Sequence, residues 1–118
     1  MNHRFRLTRS IDFKRVRSQG RSFAHPLVVL VKQNSELDQP RIGISTSKSV
    51  GNAVQRNRAR RLLREVIRPL IPVIVPGWDL VFIARNRIVD CTFQDVQKAV
   101  DSVLRRAELL RPIECECP

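Results

Sequence analysis

From Asn52 to Arg68 the chain carries two chemistries that only a helix can keep apart. At about 100° per residue, with Arg56 set at zero, Ala59, Leu62, Leu63, Val66, Ile67 and Leu70 gather within an arc of about 140°. Arg60, Arg64, Arg68 and Arg61 fall together between about 40° and 140°, with Asn57 among them and Arg56 at the edge of the apolar arc. The spacing predicts a long helix that ends before Pro69, its apolar arc turned to a core and one flank a continuous guanidinium stripe. Six Arg accompanied by one Glu repel one another along such a helix unless a polyanion neutralises them.

The flanking segments read as strands and two further helices. Ser10 to Gly20 has a cap in Ser10, an acid suited to the positive end in Asp12, apolar Ile11, Phe13 and Val16, and a stop in Gly20. Arg21 to Ala24 and Leu27 to Lys32 read as strands broken at His25-Pro26, because proline removes a ladder donor. A polar turn from Asn34 to Pro40 leads to a third strand, Arg41 to Ser45, with Ile42 and Ile44 on one face. Leu70 to Pro76 is apolar but holds Pro72 and Pro76, which predicts an irregular connection. Trp78 to Ala84 is the fourth strand. Thr92 with Asp95 resembles a capping box for a last helix over 92–109, with Val96, Val100, Val103, Leu104 and Ala107 at helical spacing.

The expected order is therefore α-β-β-β-α-β-α: three antiparallel strands, a crossover helix and a fourth strand, forming an α/β two-layer sandwich on a four-stranded sheet. Residues 1–110 are expected to form one domain and residues 111–118 a disordered tail. Phe23 and Trp78 are expected in the core.

The charge is concentrated. Twenty-two Lys and Arg against eleven Asp and Glu leave +11, split as +6 over residues 1–21, zero over 22–47, +6 over 48–68 and −1 over 69–118. Eighteen of the 22 bases are Arg, whose planar fork pairs two ways with phosphate and stacks on bases, so nucleic acid is the expected partner. No apolar run approaches the roughly 20 residues of a spanning helix, and Met1 to Arg9 is basic with no apolar stretch after it, so a cytoplasmic protein without a membrane partner is expected.

Chemistry by the protein itself is poorly supported. There is no Tyr, neither His3 nor His25 has an acid within a few residues, and paired carboxylates, a nucleophile elbow and a phosphate-binding Gly-Lys-Ser/Thr loop are all missing. Cys91, Cys115 and Cys117 fit neither a disulfide framework nor a zinc site and read as reduced thiols. Ser45 to Asn52 instead offers hydroxyls, Lys48 and Gly51 ahead of a helix start, where free N–H groups attract phosphate. Ser47, Gly51 and Asn52 serve equally well as a plain turn and cap.

The run from Arg41 to Arg64, with Ser45-Thr46-Ser47-Lys48-Ser49-Val50-Gly51-Asn52 leading into the triplet Arg56-Asn57-Arg58, resembles the signature of the bacterial ribonuclease P protein component. The likeness extends over roughly residues 4 to 110, through Leu7, Asp12-Phe13, Val16 and Gly20 to Phe82-Ile83-Ala84-Arg85. It implies a ribosomal protein S5 domain 2-like fold with a left-handed βαβ crossover, the hand opposite to the general rule. It implies a ribonucleoprotein that removes the 5′ leader of precursor tRNA, in which a large RNA hydrolyses the bond with magnesium, held mainly by that RNA, and the protein assists as a monomer in a one-to-one complex. By position, Lys48, Asn52, Arg56, Asn57, Arg58, Arg61 and Arg64 are implied as contacts to the catalytic RNA, and the stripe adds Arg60 and Arg68. A cleft between the first helix and the sheet would hold the single-stranded leader against Phe13, Arg17, Leu27, Val29 and Val31. Relatives often carry aromatics where this chain has Arg17 and Val31, and a second Lys at Ser49, so stacking on the leader falls to Phe13, with Arg17 as a guanidinium plane. Two other classes remain open on the residues alone: a general RNA-binding or ribosome-associated protein on the same fold, and a protein-only nuclease.

Overall fold

The computed structural model describes residues 10–35, 40–46 and 50–110, without the side chains of residues 10–13. Its elements are α1 (Ser10–Gln19), β1 (Arg21–Ala24), β2 (Val28–Asn34), β3 (Arg41–Thr46), α2 (Ala53–Ile67), β4 (Trp78–Ala84) and α3 (Phe93–Arg106). Ser10 as a cap, Lys48 and the tail 111–118 lie outside the described residues or side chains. The segment expected to be irregular after α2 winds instead into a 3-10 helix, Arg68–Val73. Pro69 suits its first turn, where no backbone donor is needed. A second 3-10 turn, Asn86–Asp90, follows β4.

The four strands form one mixed sheet in the order β1-β2-β4-β3. This corrects the expected run of three antiparallel strands. β1 and β2 pair antiparallel, β4 inserts antiparallel beside β2, and β3 pairs only with β4, in parallel. β3, α2 and β4 thus make a βαβ unit, and β3 is an edge strand. At the β1–β2 break, Nδ1 of His25 accepts a hydrogen bond from Leu27 N–H at 3.1 Å.

Strand alternation divides the core. Val28, Leu30, Ile42, Leu80, Phe82 and Ala84 point to one face, where they pack with Ala59, Leu63, Val66 and Ile67 of α2 and Val96, Val100, Val103 and Leu104 of α3. Phe23 and Trp78 are half-buried against the same cluster. α3 begins at the expected capping box, with Thr92 Oγ1 accepting from Asp95 N–H and the Asp95 carboxylate accepting from Thr92 N–H.

α1 lies on the opposite face, where Val16 closes over Val31 and Val81. The chain can turn this tightly into β1 because Gly20 has no side chain: a Cβ there would stand 2.4 Å from the Val16 carbonyl oxygen and 2.7 Å from that of Lys32.

Lys32 is on the larger-core face and ties three elements together. Its Nζ donates to the Ala107 carbonyl at the C-terminus of α3 at 2.7 Å and lies 4.4 Å from the centre of the Trp78 ring and 5.5 Å from that of Phe23. Lys32→Met keeps the aliphatic stem but removes the cation from both rings and from the negative helix end. It is expected to lower unfolding free energy by about 1–2 kcal/mol, measured by chemical denaturation.

Candidate nucleic-acid interface

The stripe forms on α2 as the sequence spacing requires, but its arginines differ in what holds them. Arg60 donates to Thr46 Oγ1 at the end of β3 (3.1 Å) and to Asn57 Oδ1. Both acceptors are neutral, so the side chain is oriented while its charge stays uncompensated. Among the described residues no carboxylate pairs with Arg60, Arg61 or Arg64. Arg68 does have one, Glu65 at 2.8 Å, which offsets part of its field.

Two members of the Arg56-Asn57-Arg58 triplet also serve the fold. Arg58 points away from the stripe and donates to the carbonyls of Val89 and Cys91, at 3.2 and 3.3 Å, bracing the 3-10 turn after β4. Arg56 is half-buried, and its Nε is the one buried side-chain nitrogen or oxygen without a hydrogen-bond partner among the described residues. The cause is angular position: Arg56 lies between Leu63 and Ile67 on the helix wheel, so its stem runs along the core.

Asn52 is the N-cap of α2. Its side-chain oxygen accepts from Gln55 N–H at 2.9 Å, and the Gln55 side-chain oxygen accepts from Asn52 N–H at 3.0 Å. Gly51 before it has φ +138°, and a Cβ there would run into the Gln55 side chain. Asn52→Ala is therefore expected to cost about 1 kcal/mol of stability. Asn52→Asp preserves the cap but adds a negative charge at the site, so it should leave the thermal midpoint nearly unchanged and still weaken RNA binding. Paired thermal melts and binding titrations check both.

On the α1 side, strand register arranges the exposed face in rows. Gln33, Asp79 and Arg41 form one row, Ser22, Val31, Val81 and Gly43 the next, and Ala24, Val29, Ile83 and Ser45 a third. Helix α1 covers the first two. Val16 buries Val31 to 4% exposure, and Arg15 reaches the first row, donating to Asp79 at 2.7 Å and to Gln33. Arg41 completes the clasp, donating to both oxygens of Asp79 at 3.0 and 2.9 Å. Burial alone would raise the Asp79 pKa, but hydrogen bonds and charge from Arg41 and Arg15 outweigh it and hold the carboxyl below its usual range.

Among the described residues the third row is the least covered, a shallow strip that we call the trough, with Val29 and Ile83 half-buried at the margin of the Val16 cluster. It ends at Ser45, next to Thr46, which holds Arg60 from the other face. Trough and stripe therefore meet at the β3 edge.

Of the residues expected to line a cleft, Val29 floors the trough and Arg17 is exposed on α1. Val31 is shut beneath Val16, while Leu27 is half-buried against the larger core, with its carbonyl accepting from Arg85 N–H. The Phe13 side chain lies outside those described. Sequence reasoning missed Thr46, Ile83 and the Asp79 clasp. An acid inside the apolar run Trp78 to Ala84 was the available signal, since a carboxylate in a buried strand requires partners.

Comparison with known proteins places the fold in a family. The ribonuclease P family model matches residues 1–108. The ribonuclease P protein component of Clostridioides difficile is 41% identical over 104 residues, spanning 87% of this chain and 91% of the relative. That of Clostridium novyi is 42% identical over 106 residues, spanning 88% and 94%. Among solved structures, the Staphylococcus aureus RNase P protein superposes with a TM-score of 0.83 at 34% identity, over 91% of this chain and 98% of that one. The Thermotoga maritima protein gives 0.78 at 28% identity, over 86% and 96%. With an arginine-striped crossover helix and near full-length similarity on both sides, the chain belongs to the family of bacterial ribonuclease P protein components.

Proposed function

We propose that this chain binds the catalytic RNA of ribonuclease P through the α2 stripe and the 5′ leader of precursor tRNA along the α1-side trough, assisting RNA-catalysed removal of that leader. The observation that carries this reading is the meeting of trough and stripe at the β3 edge. A single strand lying over Val29, Ile83 and Ser45 arrives beside Arg60, whose charge no carboxylate among the described residues offsets. Half-exposed apolar side chains accept base faces without sequence preference, while Arg17 on α1 and Arg60 across the edge supply cations for the backbone. The protein thus lowers phosphate repulsion between two RNAs and raises the affinity for substrates that carry a leader.

Bond breaking is assigned to the RNA. Among the described residues no three His, Cys, Asp or Glu side chains cluster to hold a metal. In this reading the magnesium ion is held mainly by the RNA. Among the described residues no helix is long and apolar enough to cross a membrane. The complex is proposed to work in the cytoplasm, one protein to one RNA.

The test is cleavage of 5′-labelled precursor tRNA at low magnesium by protein alone, a bacterial ribonuclease P RNA alone, and both together. Cleavage at the mature 5′ end by the mixture, well above either component, is expected. No gain on mixing would favour a general RNA-binding protein, and cleavage by protein alone would favour a nuclease. Leaderless tRNA binding as tightly as the precursor would remove the trough from the reading.

A further inference from the structure

A second recess lies on the flank of α2 that faces away from Arg60 and Arg64. Arg58, Arg61, Leu62 and Glu65 of α2 and Phe93 at the start of α3 line an open notch of about 430 Å³. Phe93 is 42% exposed, one of three large apolar side chains left open among the described residues. Val54, another of them, precedes Arg58 by one helical turn on the same flank. Leu62 is half-buried and supplies an apolar floor. The walls are fixed: the Arg58 guanidinium is tied to the carbonyls of Val89 and Cys91, and Glu65 is ion-paired with Arg68.

An exposed aromatic sharing a recess with two arginines in a chain of net charge +11 matches an unpaired nucleotide better than an apolar peptide, which would bring no anion to either guanidinium. A base has a π-face for Phe93, and its phosphate has the charge that Arg61 lacks among the described residues. Glu65 adds selectivity. A carboxylate accepts hydrogen bonds only, so it favours a base edge rich in donors, which guanine presents through its ring N–H and exocyclic amine.

We propose that this notch seats one unpaired base of the partner RNA, preferably guanine, stacked on Phe93 with its edge toward Glu65 and its phosphate toward Arg61. The proposal rests on the reading of the chain as a ribonuclease P RNA binder and adds to it a contact that adjoins the stripe at Arg61, on the side of α2 away from Arg60.

The experiment measures equilibrium binding of the full chain to a bacterial ribonuclease P RNA across a salt series, for the wild type, Phe93→Ala, Phe93→Leu and Phe93→Trp, with thermal melts of each. Phe93→Ala and Phe93→Leu are expected to weaken binding about tenfold with an unchanged salt slope, because stacking releases no counterions. Phe93→Trp should bind at least as tightly as the wild type. Chemical probing should show one unpaired base protected by the wild type and Phe93→Trp and exposed in the other two. Wild-type affinity in Phe93→Leu, or an unchanged protection pattern in Phe93→Ala, overturns the notch while leaving the broader function standing. A wild type that binds this RNA no better than an unrelated one overturns both.

Discussion

Replacing Asp79 with Asn is expected to lower the unfolding free energy by about 2–3 kcal/mol and to loosen α1 from the sheet. The Asp79 side chain is 1% exposed and is the shared acceptor for Arg15 of α1 and Arg41 of β3. Breaking a fully buried charge pair costs about 3–5 kcal/mol; here both arginines are about a third exposed and recover part of that from water. The amide keeps the shape but holds two guanidinium groups poorly.

The pH dependence has a definite sign. Because the folded-state pKa of Asp79 is depressed, its contribution is complete above the ordinary carboxylate value of 3.8 and is lost as pH falls through the lower folded value. The wild type should therefore lose stability more steeply than Asp79→Asn in the range below about pH 4. Urea denaturation across pH gives both quantities, and amide hydrogen exchange in α1 reports whether its protection falls before that of the sheet. Equal acid slopes in the two proteins would exclude Asp79 as a source of acid sensitivity.

The double substitution of Arg60 and Arg64 by Ala is expected to weaken binding to ribonuclease P RNA by about 10- to 100-fold at low salt and to flatten the salt dependence by about two units, one for each phosphate lost. Arg68→Ala is the internal comparison. Glu65 already offsets its charge, so it should change the slope by clearly less than either single substitution. Arg60→Ala also frees Thr46 and Asn57, but loss of two hydrogen bonds near the surface should cost the fold only about 1 kcal/mol. If the double variant keeps the wild-type slope, the stripe does not meet phosphates.

The helices and strands are legible in the sequence because each carries one strong period. Trp78–Ala84 and the Thr92–Asp95 cap come out as expected, and the apolar arc of α2 buries Ala59, Leu63, Val66 and Ile67. Strand neighbours are a different matter. Alternation says which side chains share a face, not which strand lies alongside, and a short polar turn between β2 and β3 favours a hairpin by default. The structure separates those two strands with β4, because a parallel partner for β3 can only come after a crossover through α2.

The site was legible to the same degree. Helical spacing alone places Arg60, Arg61 and Arg64 on one flank. It cannot show that Arg58 braces the turn at Val89 and Cys91, or that Val31 lies under Val16, since both depend on contacts between distant parts of the chain.

The edge position of β3 also sets a timetable for synthesis. Arg41 and its partner Asp79 are 38 residues apart, and every backbone pairing of β3 within the sheet is to β4. As the chain leaves the ribosome from its N-terminus, the Ser45–Thr46 corner where trough and stripe join has no sheet to belong to until Trp78–Ala84 has emerged. The nascent protein therefore acquires trough and stripe together and late, and a chain truncated before β4 would carry the arginines of α2 without the sheet edge they meet.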